Sequence, residues 1–558
     1  MFDLLRATRF RFLALGLILL HSSATLGVQS PNAEQSNSPD TKFKIAGTIV
    51  NALNGAPIAK ARVSIFDTSN RANPASMITS ENGHFEFPGL KPGKFSLQGA
   101  KRGFISAAYD QHEQYSTAIV TGAGLDTESL VLRLTPLALL AGQIIDEAGD
   151  PVRHAGITLY QENHAGGLDR IIPVGRASTD DQGSYEFPSL APGNYFVSVA
   201  AKPWYAIHPV SSSSDGTANP PPGVASSLDV AYPTTYYSGA TEADGATPIP
   251  VRGGDRLQID VHLNPVPALH LVFRVPNDQQ GFSGPVFQKR VFDTVENVQT
   301  EGMQSVAPGV YELTGIPAGK YIVRRSEPKT RQLLQSKEID LARNGQELDE
   351  SISEPAGAAK LSVKLPRGDQ FPKQFSIALQ DSRRRTVAFR PVDTAGEVTF
   401  GDLPAGKYAI LVSSATKAYS VVRTSSQGVE TSGHELNVTS GVSLDVTVFL
   451  AGGVVTPEGF AKRGDKPMAG AMVILVPKDP ESHQEMLRRD QSDLDGSFVL
   501  RGVIPGTYTV VAVEDAWGFS WLQPSVLSRH VQHGQKVTIG ELMEGPMHLP
   551  DRVEVQTR

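Results

Sequence analysis

The chain has 558 residues, of which 40% are hydrophobic and 20% are charged, and it contains 52 glycines and 39 prolines. A chain of this length is too long to fold around a single hydrophobic core, so we predict four or five domains of roughly 100–150 residues each. The many glycines and prolines favour an all-β fold rich in tight turns. The formal net charge of −7 argues against a nucleic-acid partner, and the absence of cysteine excludes disulfides, thiolate metal sites and cysteine nucleophiles.

The first 27 residues have the pattern of a secretory signal peptide. Three arginines precede an apolar run over residues 12–20, and small residues follow the run. A buried N-terminal helix is the alternative, but the polar linker over residues 28–41 would leave such a helix without a packing partner. The run is too short for a permanent anchor, and no later stretch has about 18 consecutive apolar residues. We therefore expect an exported chain (periplasmic, surface-bound or secreted) without a transmembrane segment.

One turn pattern recurs five times and divides the chain into repeats. Counted from a glycine, apolar residues follow at two, four and seven positions, proline at eight or nine, a second glycine at ten and an aromatic residue at twelve. The copies are Gly83-Phe85-Phe87-Leu90-Pro92-Gly93-Phe95, Gly183-Tyr185-Phe187-Leu190-Pro192-Gly193-Tyr195, Gly309-Tyr311-Leu313-Ile316-Pro317-Gly319-Tyr321, Gly396-Val398-Phe400-Leu403-Pro404-Gly406-Tyr408 and Gly496-Phe498-Leu500-Val503-Pro505-Gly506-Tyr508.

Each copy is predicted to form a β-hairpin. Apolar residues two and four positions after the first glycine lie on one face of a strand, which is the period-two pattern of a half-buried strand. The proline fixes φ near −65°, and the second glycine is expected to supply the positive φ of a tight turn. The aromatic residue then begins an antiparallel return strand.

The strands before the hairpin are visible in three copies. A strand with a central glycine is expected at 45–50, 140–145 and 450–455, followed by a turn and a second strand. The third and fourth copies keep only a weaker version of this strand, around 271–275 and 361–365. Their assignment therefore depends mainly on the hairpin.

These features resemble the carboxypeptidase regulatory-like domain. The resemblance lies in the strand with Gly47 or Gly142, in the Gly-Ala-Pro or Gly-Asp-Pro turn after it, and in the hairpin pattern. It implies a transthyretin-like (prealbumin-like) sandwich, a fold often grouped with the carbohydrate-binding-like folds and commonly found in tandem in exported bacterial proteins. It also implies a domain that is itself non-catalytic.

The sequence thus predicts an all-β tandem array of about five immunoglobulin-sized, prealbumin-like antiparallel β-sandwich domains. The predicted domains are 42–135, 136–265 with a Pro/Ser/Tyr-rich insertion over 203–250, 266–355, 356–448 and 449–558, of which the third and fourth are degenerate copies. Linkers of only a few residues predict a semi-rigid rod.

Motifs of enzyme sites and metal sites are missing or incomplete. His-Glu-x-x-His and Gly-x-Ser-x-Gly do not occur, and the phosphate-loop spacing from Gly401 to Lys407 ends in Tyr408 instead of Ser or Thr. Carboxylates before Gly496 fail the calcium-loop register, so we interpret Asp493 and its counterparts as turn formers. The sequence predicts a protein that is not an enzyme, with no catalytic residues, no metal site and no cofactor.

The insertion in the second domain exceeds what a sandwich requires, and long loops on a rigid scaffold are linkers or binding elements. Aromatic faces stack on sugars and apolar peptide groups, although rings that pin the loop to the sandwich are the alternative. We predict a structural or interaction scaffold of the cell envelope with an envelope protein as partner, or, alternatively, a carbohydrate-binding protein with a glycan ligand. The candidate ligand-binding residues are Trp204, Tyr205, Tyr232, Tyr236 and Tyr237.

Overall fold

The computed structural model describes most of the chain after Thr41. The described ranges are 42–70, 74–122, 124–164, 166–209, 226–274, 285–298, 300, 303–326, 333–348, 356–366, 369–381, 386–415, 417–426, 429–432, 434–481, 483–518, 520–540 and 543–557. The predicted signal peptide and polar linker lie outside them. The structure confirms the all-β fold class: its elements are strands β1–β45, a single α-helix within the described ranges and a few short 3-10 helices.

The first sandwich contains eight strands around one core. They are β1 (Phe43–Asn51), β2 (Arg62–Asp67), β3 (Ala75–Ile78), β4 (His84–Leu90), β5 (Gly93–Ala100), β6 (Ala107–Ala108), β7 (Ile119–Thr121) and β8 (Leu130–Leu134). One sheet has the order β4-β1-β8, and the other has the order β3-β2-β5-β6 with β7 also paired to β5. Ile45 and Phe85 from the first sheet and Val63 and Leu97 from the second belong to one buried cluster between the sheets.

The second sandwich repeats this arrangement and carries the insertion. Its strands are β9 (Ala138–Ile145), β10 (Gly156–Asn163), β11 (Arg170–Ser178), β12 (Ser184–Leu190), β13 (Gly193–Ala200), β14 (Val230–Ala231), β15 (Thr235–Tyr236), β16 (Ile249–Val251), β17 (Arg256–Gln258), β18 (Val261–His262) and β19 (Val266–Pro267). The sheets have the orders β12-β9-β17 and β11-β10-β13-β15, and β14 pairs with β19. Two 3-10 helices, Ser226–Leu228 and Ala243–Gly245, lie in the insertion.

The third sandwich has two four-stranded sheets. Its strands are β20 (Leu269–Arg274), β21 (Val286–Val291), β22 (Thr294–Asn297), β23 (Met303–Ala307), β24 (Val310–Ile316), β25 (Gly319–Ser326), β26 (Leu333–Leu341) and β27 (Gln346–Leu348). The orders are β23-β24-β20-β27 and β22-β21-β25-β26. Leu271, Leu313 and Val323 are in its core.

The fourth sandwich has a five-stranded and a four-stranded sheet. Its strands are β28 (Gly357–Lys364), β29 (Phe375–Gln380), β30 (Thr386–Pro391), β31 (Glu397–Leu403), β32 (Gly406–Ser414), β33 (Ala418–Ser426), β34 (Val429–Ser432), β35 (Glu435–Val438) and β36 (Ser443–Gly453). The orders are β31-β28-β36-β33-β34 and β30-β29-β32-β35.

The fifth sandwich is joined into a continuous set of nine strands and includes the helix. Its strands are β37 (Val455–Arg463), β38 (Lys466–Pro467), β39 (Met472–Pro477), β40 (Arg488–Gln491), β41 (Ser497–Val499), β42 (Gly506–Val513), β43 (Gln535–Ile539), β44 (Gly545–His548) and β45 (Val553–Gln556). Helix α1 (Pro524–Val531) follows the 3-10 helix Ala516–Gly518, and another 3-10 helix covers Gln484–Met486. Across the residues described, these helices are too short and too polar to cross a bilayer.

The five sandwiches share one strand register. In each, the strand that follows the first repeat glycine pairs antiparallel with the first strand of the sandwich. The equivalent Cα partners are Gly47 and Phe85, Gly142 and Tyr185, Phe273 and Tyr311, Leu361 and Val398, and Gly459 and Phe498. The first strand also pairs in parallel with a late strand of the same sandwich in all five. The repeat in sequence is therefore a repeat in structure.

The register corrects the prediction of the last repeat. The sequence pattern predicts its first strand at 450–455, but Leu450 to Gly453 belong to β36, where Leu450 contributes to the core of the fourth sandwich. The glycine equivalent to Gly47 is Gly459, in β37. The fifth sandwich consequently begins at Val455 rather than at 449.

The first glycine of each hairpin, and not the second, has the left-handed conformation. Gly183 has φ 70°, and its four counterparts have φ between 71° and 82°. The predicted positive φ at the second glycine is found in three copies, at Gly193, Gly319 and Gly506, but these angles of 157–159° lie close to extended backbone rather than in the left-handed region. A Cβ on Gly183 would lie 2.5 Å from the carbonyl oxygen of Ile144, so a side chain is excluded there by close approach as well as by φ.

Gly183→Ala is expected to destabilise the second sandwich more than Gly149→Ala. Both replacements place alanine at a positive φ, at a cost of about 1–2 kcal/mol, but a Cβ on Gly149 would meet nothing within 4 Å. The clash with Ile144 should add at least about 1 kcal/mol, since the paired strands must move apart. Differential scanning calorimetry of the full chain measures both. Equal transition temperatures for the two variants would contradict a close contact at Gly183.

The aromatic residue of the hairpin closes its own turn through a hydroxyl group. In four copies a tyrosine hydroxyl donates to the carbonyl four residues earlier. These bonds join Tyr195 to Ala191 (2.8 Å), Tyr321 to Pro317 (2.7 Å), Tyr408 to Pro404 (2.6 Å) and Tyr508 to Ile504 (2.7 Å). The first copy has Phe95 instead, and there the Thr121 hydroxyl donates to the equivalent carbonyl, that of Lys91, at 2.8 Å. All five turns are thus tied to the sandwich by a side-chain hydroxyl.

Tyr508→Phe is expected to lower the stability of the fifth sandwich by about 1–2 kcal/mol, because the Ile504 carbonyl loses a buried hydrogen bond while the ring remains. Thr121→Val should have a similar effect on the first sandwich, where the threonine replaces the tyrosine hydroxyl. Calorimetry on the full chain reports both changes. An unchanged transition for Tyr508→Phe would show that the hydroxyl does not secure the turn.

Candidate interaction site

The fifth sandwich packs directly against the first. The contact joins residues 109–118, between β6 and β7, to β40 and the turn after it. The Leu494 N–H donates to the Ala118 carbonyl at 3.0 Å, and the Ala118 N–H donates to the Asp493 carboxylate at 3.0 Å. Lys94 of β5 donates to Asp493 and to Ser497, both at 2.6 Å. Burial raises the pKa of Asp493, and the adjacent Lys94 ammonium opposes this change.

A buried glutamine at the end of β40 is held by the first sandwich on three sides. The Gln491 amide donates to the Asp110 carbonyl at 2.5 Å and to the Thr117 hydroxyl at 2.8 Å. Its amide oxygen lies 3.1 Å from Nδ1 of His112. Since Gln491 is 2% exposed, its polar groups depend on these partners from the other sandwich.

Arg489 forms the centre of this contact. Its guanidinium makes two hydrogen bonds to the Glu113 carboxylate, at 2.8 and 3.2 Å, and the two side chains are only 11% and 14% exposed. The same guanidinium lies 4.9 Å from the ring centroid of Trp521 and 5.4 Å from that of Tyr115. A desolvated bidentate pair with cation–π contacts is among the stronger polar contacts in proteins.

The aromatic segment after β42 extends the contact to the second sandwich. Trp517 stacks on His112 with a centroid distance of 5.2 Å and an interplanar angle of 8°. The Leu522 N–H donates to the Gly167 carbonyl at 2.9 Å, and the Ser520 hydroxyl bonds to Asp169. We call this meeting of the first, second and fifth sandwiches the three-domain junction. It overturns the prediction of a rod, because the last sandwich folds back onto the first two.

The five aromatic residues predicted to bind a ligand differ in exposure and in the groups that they contact. Trp204 is 86% exposed. Tyr205 and Tyr232 instead donate their hydroxyls to the two oxygens of Glu147, the Tyr232 bond being 2.8 Å long. Burial opposes ionisation of Glu147, but these hydroxyl bonds prevail and lower its pKa.

Tyr236 and Tyr237 both pack against buried apolar clusters. Tyr236 is completely buried in a cluster with Tyr160 and Phe196, and Val291 and the partly buried Phe292 of the third sandwich complete it. Tyr237 packs, partly buried, on the core of the second sandwich. A fully buried ring cannot stack on a ligand from solvent, so the structure corrects the sequence prediction for Tyr236. The Tyr232 ring is buried as well, at 6% exposure, whereas Trp204 is exposed and Tyr205 and Tyr237 are partly buried. Ligand binding by this group stays a prediction.

A buried ionic network connects the insertion to the third sandwich. His270 of β20 is 4% exposed, with Nδ1 2.6 Å from Glu312 Oε1 and Nε2 2.9 Å from Asp229 Oδ2. The other carboxylate oxygen of Asp229, Oδ1, lies 2.8 Å from Nδ1 of His208. Burial alone would lower the pKa of His270, but its two carboxylate partners outweigh burial and raise the pKa to about 9. Burial is likewise outweighed at Asp229, whose pKa is lowered to about 2 by the two histidines.

The motifs that resemble phosphate and calcium sites are parts of the hairpins. Gly401 to Lys407 lie at the turn between β31 and β32. The Asp180 carboxylate accepts the N–H groups of Gln182 and Ser184, which confirms the interpretation of this aspartate as a turn former. Asp493, its counterpart in the last repeat, has its side chain directed to the first sandwich instead.

The fold and the junction define a chain of repeated β-sandwiches that interlock. Residues 44–127, which cover most of the first sandwich, match the carboxypeptidase regulatory-like domain. The resemblance found in the sequence is therefore confirmed there.

Other known proteins are similar over more of the chain. Colossin-A of Dictyostelium discoideum is 22% identical over an alignment of 493 residues that covers 80% of this chain and 4% of that protein's length. Among solved structures, the Bacillus anthracis TIE protein is 13% identical with a TM-score of 0.17, covering 75% of this chain and 76% of that one. The major pilin subunit BcpA of Bacillus cereus is 11% identical with a TM-score of 0.15, covering 74% and 99%.

Proposed function

We propose that this chain is an exported, non-catalytic scaffold of the cell envelope that holds its sandwiches in a fixed arrangement for binding envelope proteins. The three-domain junction carries this proposal. Its buried pair of Arg489 and Glu113 and the enclosed Gln491 give the first and fifth sandwiches one mutual orientation. Surfaces on different sandwiches are then presented together, as a scaffold requires.

Two further observations support the proposal. The leader pattern over residues 1–27 supports export. The match of residues 44–127 to a regulatory-like domain supports a non-catalytic role. The junction also suggests how binding would depend on structure: a partner that contacts two sandwiches at once would gain affinity from their fixed separation.

Fractionation and cross-linking in a producing bacterial cell test the proposal. We expect the full chain in the envelope or the medium, shortened by about 27 residues, with cross-links between the first and fifth sandwiches and to envelope proteins. Leu17→Arg, which places a charge in the apolar run of the leader, is the control and should keep the chain in the cytosol. If the parent chain, without the Leu17→Arg substitution, stayed in the cytosol at full length, export would be contradicted. Envelope partners that bind the Arg489→Ala variant as tightly as the parent chain would contradict the scaffold function.

Glycan binding is a second candidate, favoured by one observation. The Trp204 ring is 86% exposed and lies edge-on to Tyr205 with a centroid distance of 5.8 Å. Stacking of a sugar on an exposed indole would be lost in Trp204→Ala, with a decrease of about 1–3 kcal/mol by analogy with stacked bases. A glycan array probed with the full chain and this variant separates the candidates. Identical array profiles would remove the glycan-binding hypothesis.

A further inference from the structure

Three metal-ligating side chains meet where the fourth and fifth sandwiches adjoin. His434 precedes β35 of the fourth sandwich, while His483 and Glu485 lie in the segment between β39 and β40 of the fifth. One ligand atom from each lies within 4.8 Å of the other two. Nδ1 of His483 is 3.5 Å from Oε1 of Glu485, and the two imidazole rings are 5.4 Å apart between centroids.

Both histidines have a buried nitrogen that lacks a hydrogen-bond partner. Nδ1 of His434 and Nδ1 of His483 are enclosed and make no hydrogen bond with any of the residues described. His434 as a whole is 7% exposed. Enclosing a polar ring atom without a hydrogen bond costs about 1–3 kcal/mol, and the nearest charge to Nδ1 of His483 is the Glu485 carboxylate at 3.5 Å. An ion bound between these groups would satisfy both nitrogens.

The carboxylate of this cluster is held in place by the opposite sandwich. The hydroxyl of Ser420, which is 2% exposed in β33, donates to Oε1 of Glu485 at 2.9 Å. Arg488, the neighbouring cation, is occupied by carbonyl groups: it donates to those of Glu485 at 2.6 Å and Leu487 at 2.8 Å. Ligands that are oriented by outer partners in this way are typical of metal centres.

The donor set selects the kind of ion. Two imidazoles and one carboxylate suit zinc and related first-row metals, whereas calcium and magnesium require mostly oxygen ligands. Zinc bonds of about 2.0–2.2 Å in a tetrahedron place ligand atoms about 3.3–3.5 Å apart. The separation between His483 and Glu485 already has this value, and all three ligand atoms lie within 4.8 Å of one another.

We propose that His434, His483 and Glu485 bind one divalent transition-metal ion, zinc in preference, that links the fourth sandwich to the fifth. A fourth position remains for water, as in zinc sites with three protein ligands. Because the ligands come from both sandwiches, the bound ion would stabilise their contact, and the folded chain would gain stability with increasing zinc concentration.

Isothermal titration of the full chain with zinc sulfate tests the proposal, on protein made without a polyhistidine tag and treated with chelator. We expect one strong site per chain and a rise in the thermal transition that added chelator reverses. His434→Ala and His483→Gln should each weaken this site at least about 10-fold, and Ser420→Ala about 10-fold through the loss of carboxylate orientation. Cobalt should give the absorption bands of a tetrahedral complex in the parent chain and lose them in the ligand variants.

The control is His548→Ala, which removes an exposed histidine 3.1 Å from the Glu458 carboxylate in the same fifth sandwich and should leave the site intact. His483 is 31% exposed, so its glutamine variant should fold even if His434→Ala does not. Zinc affinity that is the same in His483→Gln as in the parent chain, or no strong site in the parent chain, would overturn the proposal.

Discussion

Arg489→Ala is expected to detach the fifth sandwich from the first and to cost about 3–5 kcal/mol of stability at their contact. The substitution removes both hydrogen bonds to Glu113 and leaves that carboxylate buried without a counter-charge, since its side chain is only 14% exposed. The same change removes the cation beside Trp521 and Tyr115. Removing one partner of a buried ion pair is costly because the remaining charge stays buried without an opposite charge.

Small-angle scattering and calorimetry on the full chain measure this effect. We expect a larger radius of gyration and a separate, earlier transition, while circular dichroism shows that the strands persist. Arg463→Ala is the matched control: its pair with Glu514 lies in the same sandwich, but the two side chains are 43% and 36% exposed, so the change should be below about 1 kcal/mol. Adding Glu113→Ala to Arg489→Ala should restore part of the loss. Unchanged scattering for Arg489→Ala would contradict the role of this pair in closing the chain.

The hairpins were predictable because their determinants are local. Turn residues, the alternation of apolar side chains and the closing aromatic residue all fall within thirteen positions, so each copy can be recognised without knowing its partners. The first strand of the last sandwich was misplaced for the opposite reason. Leu450 to Gly453 satisfy the local pattern, but they continue β36 and pair with residues 418–421 of β33, which places them in the fourth sandwich.

The junction and the candidate metal site could not be predicted from local patterns. Arg489 and Gln491 contact residues more than 370 positions earlier, and a polar side chain in a short strand does not indicate which surface will enclose it. The charged and polar run from Arg488 to Gln491 forms β40 at the edge of its sheet, where polar side chains are ordinary and do not indicate a partner. His434 and His483 likewise lie in different sandwiches, so their spacing matches no metal motif.

The stability of the contact between the second and third sandwiches is expected to fall as the pH rises from about 6.5 to 9. His270 has its pKa raised to about 9 by Asp229 and Glu312, against an ordinary value near 6.5 in the unfolded chain. A histidine whose pKa is higher in the folded chain than in the unfolded chain stabilises the fold. This stabilisation is complete at pH values below the pKa of the unfolded chain and is lost as the pH rises through the pKa of the folded chain. The difference between the two pKa values corresponds to about 3 kcal/mol. The neutral form of His270 no longer compensates the buried carboxylate of Glu312 and the partly buried carboxylate of Asp229.

His270→Gln should remove most of this pH dependence and cost about 3–5 kcal/mol at pH 7, because the positive charge beside the completely buried Glu312 is removed. Hydrogen exchange of β20 and β24 in the full chain, measured at several pH values and corrected for the intrinsic exchange rate, follows the local stability. His548→Gln is the control, since that ring is 86% exposed and its loss should leave both strands unaffected. Equal protection of β20 at pH 6.5 and pH 9 in the parent chain would show that His270 is not held as an imidazolium ion between its two carboxylates.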